Sequence, residues 1–175
     1  MPKRRDIKGN DILELSRQFS MAPIGGLFLA TVGATLILGG LLPRMRGRSI
    51  WIGFALGVMA VALFGGRLLV PPPPTLIQLA SLALAIAVEV AAFVVLMPRL
   101  YRAGERAVVT GTLAIVGGHF VLMLPALGPL IAAMGMLCVA NAALLWLSAR
   151  YALKMGWTAD GAIKLSFGLV MLQGM

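Results

Sequence analysis

Long apolar runs follow one another along almost the whole chain after a polar N-terminal tail. Each run has about 20 residues, the length that an α-helix needs to cross a hydrocarbon layer of roughly 30 Å. Since the bilayer offers no water to the peptide groups, a spanning segment of this kind forms a helix. The pattern predicts an all-α polytopic transmembrane bundle with six spans, over 21–43, 49–70, 76–97, 107–124, 129–147 and 157–175.

The composition agrees with this pattern. Hydrophobic residues make up 60% of the 175 positions and charged residues 12%, with a mean hydropathy of +0.96. Soluble domains carry about 25% charged residues. We therefore expect a single transmembrane domain over 21–175 and no water-soluble domain beside it.

Basic residues lie next to the predicted spans. The connections after the second and fourth spans lack Lys and Arg, whereas the first, third and fifth spans are followed by Arg44, Arg46, Arg48, Arg99, Arg102, Arg106, Arg150 and Lys154. Cytoplasmic loops of membrane proteins are enriched in Lys and Arg, so we expect these three loops in the cytoplasm. Despite the net charge of +9, this distribution argues against nucleic acid as a partner, because no basic soluble face is formed.

The N-terminal tail, residues 1–20, is basic and amphipathic. Asp11 and Glu14 have the spacing of a capping box, and the apolar residues that follow share one helical face. We expect a short helix at the membrane interface. Its five basic residues favour a cytoplasmic tail, which conflicts with the orientation that the loops indicate if the first run spans once. A first segment that enters the membrane and returns on the same side is therefore an open alternative. The expected location is a bacterial inner membrane.

An internal similarity appears when the chain is compared with itself at an offset of 78 residues. Gly33, Ile37, Gly39 and Gly40 then meet Gly111, Ile115, Gly117 and Gly118, and a second stretch aligns Gly57 with Gly135. Three spans separate the copies, which predicts a 3+3 inverted repeat, a common construction of secondary transporters. The alternative is chance, because small residues are abundant in every membrane helix.

Polar residues inside the predicted spans are the candidates for a site. Glu89 lies among Ala, Val and Leu in the third span, where a carboxylate is costly unless it is protonated or paired. Counted along their helices, the four side chains that we expect in one polar layer are Glu89, His119, Asn141 and Lys164. They would bind a proton or a small ion, or they would form a hydrogen-bonded knot that only fixes packing. Asp160 and Lys164 lie in the first two turns of the sixth run, where charged side chains can reach the interface. The sixth run therefore either spans the membrane or forms a half-membrane helix.

Cofactor and enzyme chemistry find no support in the sequence. The single cysteine, Cys138, excludes an internal disulfide and a cysteine-based metal site. His119 has no second histidine with which to hold a haem, so we expect no cofactor and no metal. Catalytic signatures such as Ser/His pairs or HExxH are absent, and we do not expect an enzyme.

Two functions remain open. The first is a small proton- or ion-linked transporter or channel, suggested by the repeat and the polar layer. The second is a non-catalytic accessory or scaffold subunit of a larger membrane complex, suggested by the small size and the glycine-rich faces. The GxxxG pattern at Gly53 and Gly57 favours helix contacts. We expect the lipid bilayer as partner, together with further copies of the chain or other membrane subunits.

Overall fold

The computed structural model describes residues 19–68, 73–148 and 150–173. Within these residues the chain forms seven α-helices and no strand, which confirms the all-helical prediction. A 3-10 turn, Pro43–Met45, links the first two helices. The helices are α1 (Ala22–Leu41), α2 (Arg46–Leu68), α3 (Leu76–Ala103), α4 (Glu105–Leu122), α5 (Leu124–Leu127), α6 (Pro129–Leu147) and α7 (Leu153–Gln173). The predicted interfacial helix of the tail lies outside the described residues, apart from Phe19 and Ser20.

Local sequence signals explain where several helices begin and end. Thr75 and Gln78 form a capping box at the start of α3, each side chain bonding the other residue's backbone N–H. Gly104 separates α3 from α4 at φ 101°, and Gly128 separates α5 from α6 at φ 88°. These backbone angles suit glycine, because a Cβ atom would be strained there.

Four of the helices, α1, α2, α3 and α6, are long and apolar enough to cross a membrane. The other two long helices carry more polar side chains. Helix α4 begins with Glu105 and Arg106, and α7 contains Lys154, Asp160 and Lys164. Length and composition of the described helices therefore support four spans directly.

The six long helices pack side by side in the order α2, α1, α7, α6, α4, α3. The short helix α5 lies against α3 and leads into α6. Two apolar clusters fill the interior, one around Leu29, Phe120 and Met134 and the other around Leu36, Leu113 and Trp157. Helices α2 and α3 lie at the two edges of the row, and α4 and α7 lie inside it.

Neighbouring helices run in opposite directions. Helix α7 is antiparallel to both α1 and α6, and α6 is antiparallel to α4, so α4 runs opposite to α1. The contacts that fix these directions are Gly26 with Gly168, Gly33 with Gly161, Lys164 with Cys138, Gly156 with Leu145, Gly117 with Cys138, and Arg106 with Leu145.

The closest helix contact is made by glycines of α1 and α7. A Cβ atom at Gly33 would lie 2.6 Å from the carbonyl oxygen of Gly161, and one at Gly161 would lie 2.8 Å from that of Gly33. Two turns away, Gly26 and Gly168 repeat the arrangement at 2.8 and 2.7 Å. Residues seven apart lie on one face of a helix. The two backbones therefore touch along a seam where no side chain fits.

The GxxxG pattern of α2 is used inside the chain. A Cβ atom at Gly53 would approach the side chain of Thr35 on α1, and one at Gly57 would lie 2.7 Å from the ring of Phe28. We expected such glycines to support oligomerisation. In the structure they let α2 pack on α1, so the pattern gives no support for contacts between copies.

The three basic loops meet at one end of the bundle. Arg46, before α2, pairs with Glu105 at the start of α4, with Nη1 and Oε1 3.4 Å apart. Arg106 donates from its guanidinium to the carbonyl oxygens of Leu145, Ser148 and Tyr151, which surround the end of α6. These bonds satisfy carbonyl groups that the helix leaves free. The shared end agrees with the loop distribution expected from the sequence.

Labelling of introduced cysteines tests this arrangement. In a Cys138→Ala background, cysteines at the exposed positions Arg44, Arg102 and Lys154 are expected to react with a membrane-impermeant maleimide from the same side. A cysteine at Pro73, between α2 and α3, is expected to react from the other side. The arrangement is wrong if Arg44 and Arg102 are labelled from opposite sides of vesicles of known orientation.

The glycine seam makes a second prediction. Gly33→Ala places a methyl group against backbone atoms of α7, which cannot rotate away. We therefore expect the free energy of unfolding to fall by about 1–3 kcal/mol. Gly118→Ala is the matched control, because a Cβ atom there meets nothing within 4 Å and alanine favours the helix. Thermal unfolding in detergent, followed by tryptophan fluorescence, measures both. Equal unfolding temperatures for the two variants would show that α1 and α7 do not touch at Gly33.

Candidate functional site

Glu89 of α3 faces His119 of α4. The Glu89 Oε1 and His119 Nδ1 atoms are 3.5 Å apart, and the side chains are 22% and 8% exposed. The imidazole also approaches the carbonyl group of Val116, yet its Nδ1 makes no hydrogen bond of normal geometry. Glu89 therefore points from an outer helix toward the bundle interior and meets one of its predicted partners.

Asp160 and Lys164 form an ion pair one turn apart on α7, with direct contact between Oδ2 and Nζ. Both side chains are almost completely buried, at 0% and 1% exposure. Lys164 Nζ also lies 3.7 Å from the sulfur of Cys138. The Cys138 thiol also interacts with the Asp160 carboxylate.

Phe120 links these two pairs. The ring centroid of Phe120 is 4.1 Å from that of His119. Lys164 Nζ, on α7, lies 5.8 Å from the same Phe120 centroid. Lys164 is close enough to act electrostatically on both Glu89 and His119. We call Glu89, His119, Asp160 and Lys164 the buried charge cluster. It spans α3, α4 and α7 and is the largest group of interacting ionisable side chains among the described residues.

Asn141 belongs to a different group. Its Nδ2 donates to the carbonyl oxygen of Gly156 at 2.8 Å, and its Oδ1 accepts from the Tyr151 hydroxyl at 3.0 Å. Burial raises the pKa of the Tyr151 phenol, so this hydroxyl remains a donor at neutral pH. Asn141 thus joins α6 to the beginning of α7, and its described contacts do not include Glu89, His119 or Lys164.

Asp160 is the member of the cluster that the sequence reading placed elsewhere. We expected its carboxylate to reach the interface, because it lies near the start of the sixth run. The structure begins α7 at Leu153 and buries Asp160 completely. The available signal was its spacing of four residues from Lys164, which places the two charges on one helix face.

The cluster does not resemble a metal site. Among the residues that the structure describes, no three side chains of His, Cys, Asp or Glu come together to hold a metal ion. What the cluster contains is two carboxyl groups, an imidazole and an ammonium group in surroundings of low polarity. Carboxyl and imidazole groups are types of side chain that bind and release protons, and the charges of neighbouring ionisable groups depend on one another.

Comparison with known proteins gives a family without an assigned role. The pattern of a family of unknown function, DUF6609, matches residues 13–174. The chain therefore belongs to that family, and the match includes every described helix. No curated protein and no solved structure matches the chain.

Proposed function

We propose that the chain is a small, non-enzymatic membrane protein that moves protons or a proton-linked ion through a six-span bundle. The observation that supports this best is the buried charge cluster. Charged side chains within membrane helices are costly, so they commonly mark ion and proton pathways.

The kinds of side chain in the cluster favour proton handling over a packing knot. A packing knot needs only hydrogen-bonding groups, whereas ionisable groups in an apolar interior carry a desolvation cost. All four members of the cluster are ionisable. Carboxyl and imidazole groups both accept and release protons.

The cluster also has a graded exposure. Glu89 is its most exposed member, at 22%, and Asp160, at 0%, is its most enclosed. Glu89 belongs to α3, at the edge of the row, whereas Asp160 belongs to α7, inside the row. Glu89 is thus the member of the cluster nearest to the surface of the bundle.

Six spans remain a proposal for which the packing gives support. Helices α4 and α7 carry the buried side chains of His119, Asp160 and Lys164, and each of the two helices lies between two of the four apolar helices. Their polar faces are thereby shielded from lipid. Alternating helix directions and the shared end of the basic loops fit six crossings, with those loops in the cytoplasm of a bacterial inner membrane.

The inverted repeat also remains a proposal. In its favour, α4 runs opposite to α1, and the equivalent residues Gly33 and Gly111 face the sixth and third long helices respectively. Against a close symmetry, Gly39 packs on Ser49 whereas its equivalent, Gly117, packs on Cys138. Ser49 lies near the start of α2, whereas Cys138 lies in the middle of α6. If the two halves share an ancestor, the packing of the neighbouring helix has since shifted in one of them.

Proton flux into liposomes tests the proposed function. The purified chain is reconstituted with a trapped pH-sensitive dye, and a potassium gradient with valinomycin supplies the membrane potential. The wild type is expected to raise proton influx above that of protein-free liposomes. Glu89→Gln keeps the shape of the side chain and removes its proton, so influx is expected to fall by about 100-fold, the scale of a lost proton-transfer group.

Glu105→Gln is the matched control, because Glu105 lies at the loop end of the bundle with a side chain 72% exposed. Its flux is expected to equal that of the wild type. Transport is contradicted if the wild type gives no more influx than empty liposomes. The site is contradicted if Glu89→Gln retains the flux.

A second function, an accessory or scaffold subunit, is favoured by the edge helices. Only 22% of the apolar window of α2 and 6% of that of α3 is buried within the described bundle. Surfaces of this extent accept either lipid or other membrane helices, including further copies of the chain. Purification in mild detergent tests this function, since stoichiometric co-purification of another membrane protein would support it.

A further inference from the structure

The charges of the buried charge cluster do not balance. Glu89 and Asp160 each contribute a negative charge when ionised, Lys164 contributes one positive charge, and His119 is neutral in its ordinary form at pH 7. Helix α1, packed against α7, has no ionisable side chain, and α6 contributes Cys138. Full ionisation would leave one uncompensated negative charge in surroundings of low dielectric constant, which is strongly unfavourable.

We propose that the cluster holds one exchangeable proton, carried by Glu89 in the state described, while Lys164 keeps Asp160 ionised. One bound proton makes the cluster electrically neutral. The inference deepens the proposed function, because it names the proton as the ion and sets the number at one. Its meaning for transport rests on that function, but the protonation itself does not.

The surroundings favour a proton over a metal cation. Hard cations such as Na⁺ or Mg²⁺ need several oxygen ligands. The described partner of Glu89 is an imidazole nitrogen, and the ammonium group of Lys164 is close enough to act on Glu89 electrostatically. A cation placed there would be repelled by Lys164, whereas a proton requires only one oxygen.

The geometry distinguishes the two carboxyl groups. Lys164 contacts Asp160 directly, from the next turn of the same helix, and this pairing stabilises the ionised form of Asp160. The described ion pairs of Glu89 and Lys164 are separate, since Glu89 meets His119 and Lys164 meets Asp160. Glu89 Oε1 lies 3.5 Å from His119 Nδ1, so a protonated Glu89 can also donate toward the neutral imidazole. The proton therefore belongs on Glu89.

Charge neutrality gives a counting rule for variants. The number of protonated carboxyl groups in the cluster equals the number of carboxyl groups minus the number of lysines. The wild type is expected to have one. Glu89→Gln is expected to have none, and so is Asp160→Asn, because Lys164 then balances an ionised Glu89. Lys164→Gln is expected to have two.

Infrared spectroscopy of the full chain in lipid at pH 7 measures this number. A protonated carboxyl group has a carbonyl stretching band that a carboxylate lacks, and ¹³C-glutamate labelling assigns the band to glutamate. The wild type is expected to show one such band that shifts with the label. It is expected to disappear in Glu89→Gln and in Asp160→Asn, and to remain in Glu105→Gln.

The two near-isosteric amide variants keep the test decisive even if Lys164→Gln fails to fold. A wild type without the band, or a band that survives Glu89→Gln, overturns the inference. Survival of the glutamate band in Asp160→Asn overturns the role of Lys164 as the shared countercharge. If the band follows the rule but the liposomes show no proton flux, the inference stands and transport is rejected. If proton flux is present but the band is absent, the inference is rejected and transport stands.

Discussion

Backbone contact between α1 and α7 is the constraint on which the rest of the structure depends. Gly26 and Gly33 on one helix meet Gly168 and Gly161 on the other, so the two helices approach until their peptide groups touch. In a bilayer, lipid tails are as apolar as leucine, and close van der Waals packing of small residues is a main source of helix association. The seam holds α7, which carries the buried Asp160 and Lys164, inside the row between α1 and α6.

The position of α7 determines the chemistry of the interior. Asp160 precedes Gly161 directly, so the helix that the seam holds in place also carries the buried carboxylate, which interacts with Cys138 of α6. Lys164 follows one turn later and neutralises it. Glu89 reaches the same region from the opposite edge of the bundle and meets His119. Two carboxyl groups therefore share one lysine, and this imbalance is the physical origin of the proposed proton site.

The sequence predicted the helices well because membrane spans are read from local apolar length. The fifth expected span, 129–147, coincides with α6. Helix α7 begins four residues before its expected start and includes Lys154 and Met155. Glu89 and His119 could be singled out because polar residues are rare within apolar runs. The burial of Asp160 could not be predicted, since hydropathy does not show which helix lies between two others. The separation of Asn141 from the cluster likewise depends on long-range packing.

The reactivity of Cys138 tests most directly whether the glycine seam encloses the cluster. This cysteine, the only one in the chain, is fully buried 3.7 Å from Lys164 Nζ and reports on water beside it. In lipid nanodiscs, alkylation by a water-soluble maleimide is expected to be much slower than at a cysteine introduced at Arg102, and to accelerate when Gly33→Val separates α1 from α7. The account is contradicted if Cys138 of the wild type reacts as fast as the loop cysteine, or if Gly33→Val leaves its rate unchanged.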